Sequence, residues 1–160
     1  MTDWDLRFME LATHVGSWSK DKSRKVGAVI VGPSNEIRAI GYNGFPRGIN
    51  DDVFSRHCSK SGEKYKWTEH AERNAIYSAA KVGTPLSDCR IYIPWFPCMD
   101  CARAIVQVGI NEVIGIKPDL LDQTWGGDFE RSLQLFEEAK VLVRFIEFEG
   151  VDRITFPLDD

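Results

Sequence analysis

Two short motifs constrain this chain more than any other feature of it. His70-Ala71-Glu72 comes first, and Pro97-Cys98-Met99-Asp100-Cys101 follows after residues 73–96. Zinc takes ligands in a tetrahedron and accepts imidazole and thiolate. A C-x-x-C pair at a helix start lets two sulfurs converge on one ion, and the helix N-terminus stabilises their charge. If His70, Cys98 and Cys101 share an ion, two helix starts distant in sequence must meet in space. Whatever lies between them must be a compact connection through the core.

The periodicity supplies such a connection. Residues 3–17 place Trp4, Phe8, Leu11, Ala12 and Val15 at helical spacing, with Thr2 or Asp3 as the cap. Residues 26–31 form a β-branched apolar run, the turn Gly32-Pro33-Ser34-Asn35 follows, and residues 36–41 read as a second, antiparallel strand. Residues 43–68 read as one long loop, rich in glycine and polar side chains. Beyond it, helices at 69–81, 97–108 and 128–139 alternate with strands at 89–94, 112–116 and 141–148. Pro97 sits in the first turn of its helix and Gly109 just past its end. This alternation implies parallel crossovers within one sheet covered on both faces. The tail after Gly150 carries no clear pattern. No repeat or linker divides the chain, so residues 1–160 are expected to form a single domain.

Composition narrows the function classes. The net charge is −4 and no basic stripe is visible, which favours a small-molecule substrate over a nucleic acid. No apolar run approaches the roughly 20 residues of a membrane helix. The first ten residues hold Asp3, Asp5 and Glu10 and lack the apolar stretch of a signal peptide, so a cytoplasmic location is expected. In a reducing compartment, close cysteine pairs are more often metal ligands than disulfides. Of the four cysteines, Cys89 opens a strand and reads as a core thiol, while Cys58 beside His57 leaves a second structural zinc site open.

The chemistry follows from the ligand count. One histidine and two cysteines leave the fourth position of a tetrahedral zinc to water, the mark of a catalytic rather than a structural site. Bound zinc lowers the pKa of water to about 7. Glu72 lies in the predicted turn that follows His70, near the ion without being needed as a ligand. A carboxyl group there can accept a proton from water and pass protons to a ring nitrogen and a departing amine. A lone C-x-x-C is often a structural or redox site and a lone H-x-E is common by chance; together they form the signature of zinc-dependent nucleobase deaminases.

With these residues the chain resembles the deoxycytidylate (dCMP) deaminases of the cytidine deaminase superfamily. The resemblance runs through Val26-Gly27-Ala28-Val29-Ile30-Val31, Gly41-Tyr42-Asn43-Gly44-Phe45-Pro46, His70-Ala71-Glu72-Arg73-Asn74-Ala75-Ile76 and Phe96-Pro97-Cys98-Met99-Asp100-Cys101-Ala102. It implies a three-layer α/β/α sandwich with a five-stranded mixed sheet and conversion of dCMP to dUMP with release of ammonia. It also implies a substrate contact from Asn43, contacts to the pyrimidine edge from the backbone of Ala71 and the Pro97-Cys98 turn, and a homo-oligomer regulated by dCTP and dTTP. The chain departs from the family pattern at Arg73, at Met99-Asp100 and across residues 50–68.

The residues themselves say less about a phosphate. Arg24, Lys25 and Arg47 are candidate contacts, though each reads more readily as a plain solvated charge. Asn43 also reads as a turn residue beside Gly44. Trp67 or Trp125 would serve either to stack on a base or to pack. Other substrates for the same chemistry are CMP, a modified pyrimidine nucleotide, a nucleoside or a tRNA adenine. A nucleotide-binding zinc protein without turnover is the reading from another class.

Overall fold

The computed structural model describes residues 1–148, so the tail after Gly150 lies outside the described residues. One five-stranded sheet runs through the molecule in the order β2-β1-β3-β4-β5. The strands are β1 (Gly27–Val31), β2 (Ile37–Tyr42), β3 (Arg90–Ile93), β4 (Glu112–Gly115) and β5 (Leu142–Phe145). β1 pairs antiparallel with both β2 and β3, whereas β3, β4 and β5 run parallel. The expected mixed sheet and its parallel crossovers are therefore present.

Strand alternation sorts the core into two clusters. Val29, Val31, Tyr92 and Ile114 face α1 (Asp3–Gly16), packing on Phe8, Met9 and Ala12. On the opposite face Ala28, Ile30, Ile91, Ile93 and Val113 meet α3 (Ala71–Val82), α4 (Met99–Gln107) and α5 (Gly126–Glu138). This is the three-layer α/β/α arrangement. β1, enclosed between both helical layers, is buried along its whole length, which explains its unbroken apolar run. α1 begins with a reciprocal capping box in which Thr2 Oγ1 accepts from the Asp5 amide and Asp5 Oδ2 accepts from the Thr2 amide. Thr2, not Asp3, is thus the cap. Trp4, expected on the buried stripe, is instead exposed and stacks on the edge of that stripe at Phe8.

The largest departure from expectation lies in residues 43–68. This segment contains a 3-10 turn, Phe54–His57, and a short helix, α2 (Glu63–Trp67). Its far end is sewn back to the sheet, because Gly44 and Glu69 exchange both backbone hydrogen bonds at 3.0 and 2.8 Å. Among the described residues no helix is long and apolar enough to cross a membrane.

Candidate active site

The site forms where β2, β3 and β4 end and β1 begins, the edge at which α/β sheets commonly bind ligands. The chain's own contacts fix α3 there. Asn74 Nδ2 donates to the Tyr42 carbonyl at 2.8 Å, and the Gly44–Glu69 bridge holds the residue before His70. β2 approaches α3 so closely that a Cβ on Gly41 would stand 2.3 Å from the Ala75 nitrogen and 2.4 Å from the Ala71 oxygen.

His70 and Cys98 occupy equivalent places, as the N-caps of α3 and α4 in extended backbone conformation. Their side chains converge. His70 Nδ1 lies 3.4 Å from Cys98 Sγ and 3.5 Å from Cys101 Sγ. A tetrahedral zinc with usual bond lengths holds nitrogen and sulfur about 3.5 Å apart. The donor atoms all lie within 4.8 Å of one another, and no other such cluster occurs among the described residues. The set therefore fits zinc in type, number and spacing. Cys58 and His57 do not gather further ligands; His57 Nε2 lies 2.6 Å from the Asp51 carbonyl oxygen. Cys89 is a buried free thiol, as expected.

Electrostatics separates the two sulfurs. The Cys98 thiol is pushed down to about 4, by a hydrogen bond from Cys101 and then by His70, against the cost of burial. Cys101 is pushed up, first by sharing its proton with Cys98 and then by burial. The pair thus keeps one proton, and metal binding would release it. Burial opposes charge on His70, but its contact with Cys98 and the nearby Glu72 carboxylate raise it above the usual histidine value. Glu72, only 4% exposed, is raised by burial, with His70 opposing.

His70, Glu72 and Cys98 form one end of a cleft of about 240 Å³. Trp95, Phe96 and Trp125 supply aromatic walls, and Asn43, Arg24 and Lys64 supply polar ones. Trp125 meets the His70 ring edge-on at 5.8 Å between centroids and Tyr65 at 5.7 Å. Arg24 lies flat over Trp95, its guanidinium carbon 3.4 Å from the ring centroid.

Residues 2–117 match the family described as the cytidine and deoxycytidylate deaminase zinc-binding region. The chain belongs to this family. An "Uncharacterized deaminase in luxG 3'region" of Aliivibrio fischeri is 38% identical over 151 residues, covering 93% of this chain and 97% of that one. Human deoxycytidylate deaminase is 43% identical over 115 residues, covering 70% of this chain, and the matched region spans only 64% of the human protein. The dCMP deaminase of cyanophage S-TIM5 in apo form superposes with a TM-score of 0.72 at 24% identity, over 91% of this chain and all of that one, which establishes the shared fold. Zinc, the metal of the cytidine and deoxycytidylate deaminase family, is the one this donor set accommodates.

Within this family member the expected site residues are distributed unevenly. His70, Glu72, Cys98 and Cys101 come together. Ala71 and Asn43 line the cleft, as does Arg24. The Asn43 amide is engaged by the protein: its Oδ1 accepts from the Val26 amide at 2.8 Å, and its Nδ2 donates to the Arg24 carbonyl at 2.9 Å and to Asp21 Oδ2 at 3.3 Å. Pro97 is not among the lining residues, although Phe96 and Cys98 on either side of it are. Nor are Lys25 and Arg47. Of the two tryptophans, Trp125 belongs to the site, while Trp67 packs under Arg56 and donates its indole N–H to Glu63 at 3.1 Å. Sequence reading missed Trp95, Tyr65, Lys64 and Asp21. Trp95 had one usable signal, since it directly precedes Phe96-Pro97-Cys98.

Proposed function

We propose that this protein hydrolyses dCMP to dUMP and ammonia, with Glu72 as the group that moves protons. The observation that carries the reading is a buried carboxyl group, its affinity for a proton raised by burial, beside a His-Cys-Cys cluster at one end of a cleft with aromatic and polar walls. Supporting it, probable and established deoxycytidylate deaminases of Drosophila melanogaster and Homo sapiens share 41% and 43% identity with the matched region.

In this reading His70 Nδ1 and the sulfurs of Cys98 and Cys101 hold zinc, which when bound supplies the Lewis acidity that makes water nucleophilic near neutral pH. Glu72 accepts a proton from that water and donates one to the ring nitrogen adjacent to the amino-bearing carbon. Water's oxygen adds to that carbon, Glu72 takes the second proton from the resulting hydroxyl and delivers it to the amino group, and the C–N bond breaks to release ammonia as the carbonyl forms. Trp95, Phe96 and Trp125 enclose the pyrimidine and exclude bulk water. The backbone of Ala71 and the Pro97-Cys98 turn meet its polar edge. Asn43 contacts the sugar or base, or holds the segment that does, and Arg24 meets the phosphate. The cleft draws on side chains from Asp21 to Trp125, which supports treating the described residues as one domain. A homo-oligomer responsive to dCTP and dTTP is the wider setting suggested by the family resemblance, and the acidic first ten residues suggest a cytoplasmic location.

Incubation of the zinc-loaded protein with dCMP, followed by ultraviolet absorbance, tests the reading. Turnover is expected, and Glu72→Gln is expected to lower kcat about 100-fold or more while zinc content stays at the wild-type level. Unchanged turnover in that variant would remove Glu72 from the mechanism. A wild-type protein inert toward dCMP, with and without dCTP, would remove the substrate.

A further inference from the structure

We propose that Lys64, carried on α2, is the residue by which this cleft distinguishes a nucleoside monophosphate from the same nucleoside without its phosphate. The inference rests on the deaminase reading above and adds to it a specificity residue from the segment where this chain departs from its family's pattern.

α2 is folded onto the cleft. Tyr65 meets Trp125, and the adjacent Lys64 reaches across to the loop preceding β1. There its ammonium lies 2.9 Å from Asp21 and also bonds Ser23 Oγ. The side chains of Lys64 and Asp21 are only 15% and 7% exposed. The cleft thus has a charged end, made by residues 21–24 and α2. Arg24 of this end rests on the Trp95 wall, and Tyr65 beside Lys64 meets Trp125. The two cations lining the cleft, Arg24 and Lys64, both belong to the charged end.

Hydrogen-bond accounting at Asp21 shows why Lys64 is available to a ligand. Asp21 Oδ1 already accepts from the Ser23 amide at 2.8 Å, the Ser23 hydroxyl at 2.9 Å and the Arg24 amide at 3.1 Å, and Oδ2 accepts from Asn43 at 3.3 Å. The carboxylate is served by these donors without Lys64. An ammonium has three donors. The ammonium lies 2.9 Å from each Asp21 oxygen and bonds Ser23 Oγ, so a phosphate oxygen would take the place of one Asp21 oxygen, whose carboxylate keeps its other donors. Charge works in the same direction. Asp21 standing alone would repel a dianion across a poorly screened cleft, and Lys64 both cancels that charge and presents its own. A neutral nucleoside feels neither effect.

Lys64→Gln is therefore expected to lower kcat/KM for dCMP at least about 30-fold, the low end for truncating one partner of a buried hydrogen-bonded charge pair. The value for deoxycytidine should change less than about threefold. A readout that needs no turnover is calorimetric binding of dUMP against deoxyuridine, where only dUMP should weaken. The double variant Asp21→Asn with Lys64→Gln removes the unpaired buried charge that the single variant leaves. If Lys64 reads phosphate, the double variant still loses far more affinity for dUMP than for deoxyuridine. If Lys64 serves only to neutralise Asp21, the double variant recovers dUMP binding, and the proposal is overturned. Equal weakening of dUMP and deoxyuridine overturns it too. A wild-type protein that turns over neither substrate would sink the deaminase reading, while the binding comparison would still decide the role of Lys64.

Discussion

Among individual residues, Arg73 shows how the metal cluster is supported from behind. Its guanidinium lies 2.5 Å from Glu69, the neighbour of His70, and 3.3 Å from Asp100, which sits between the two cysteines. One planar fork therefore ties together the two helix starts that carry the three donors. Its charge also faces both sulfurs, while its Nε is buried without a hydrogen-bond partner among the described residues. Groups that orient metal ligands typically contribute 10- to 100-fold in affinity. Arg73→Gln should weaken zinc binding by about tenfold or more in a chelator competition, and Arg73→Lys, which keeps charge but not the fork, should fall between. An unchanged affinity in Arg73→Gln would reduce Arg73 to a surface ion pair. The donors themselves were legible in the sequence because zinc dictates both their types and their short spacings. Trp95, Lys64 and Asp21 were not, because nothing local marks a side chain whose role depends on a neighbour far along the chain.

At the level of elements, the position of α3 depends on a missing side chain. Gly41 sits in β2, and a methyl group there would fall within 2.3 and 2.4 Å of backbone atoms in the first turns of α3, which cannot yield as a flexible side chain would. Overpacking of this kind costs about 1–3 kcal/mol or more. Gly41→Ala should therefore lower stability by about that amount in urea unfolding. It should also reduce activity, because the displaced turn carries Glu72 and follows His70. A variant of wild-type stability and activity would mean that β2 and α3 can separate without cost. Helices α1, α3, α4 and α5 were all legible with boundaries within a few residues, α1 and α3 from apolar spacing and α4 from Pro97 at its start and Gly109 past its end. α2 was not, since five residues barely exceed one turn and give no periodicity to read. Its placement comes from tertiary contacts, the Lys64–Asp21 pair and the Tyr65–Trp125 contact.

Across the whole molecule, the turn at residues 32–35 foretold the antiparallel pairing of β1 with β2, and alternation of helix and strand foretold the parallel half of the sheet. The antiparallel pairing of β1 with β3 leaves no local trace. A second long-range feature, equally silent in sequence, closes the molecule on itself. Asp5, in the first turn of α1, receives both arms of Arg144 from β5 at 2.8 Å and the Tyr92 hydroxyl from β3 at 2.9 Å. Arg144 also donates to Glu112 of β4 at 2.8 Å. Arg144 first, and then the Thr2 and Tyr92 hydrogen bonds, hold the Asp5 carboxyl far below the usual carboxylate range. The sign of the pH dependence follows. Below about pH 4 the unfolded chain protonates this group while the folded one resists, so its contribution is complete above that value and fades as pH falls. Because the Arg144 side chain is 36% exposed, solvent screening reduces the effect below that of a fully buried pair, to about 1–2 kcal/mol. Asp5→Asn should lose about that much stability in urea at pH 7, and less at pH 3, where the wild type has itself begun to lose the contribution. The difference between the two proteins should therefore shrink with acidification. A constant difference across that range would show that Asp5 contributes by shape and hydrogen bonding rather than by its charge.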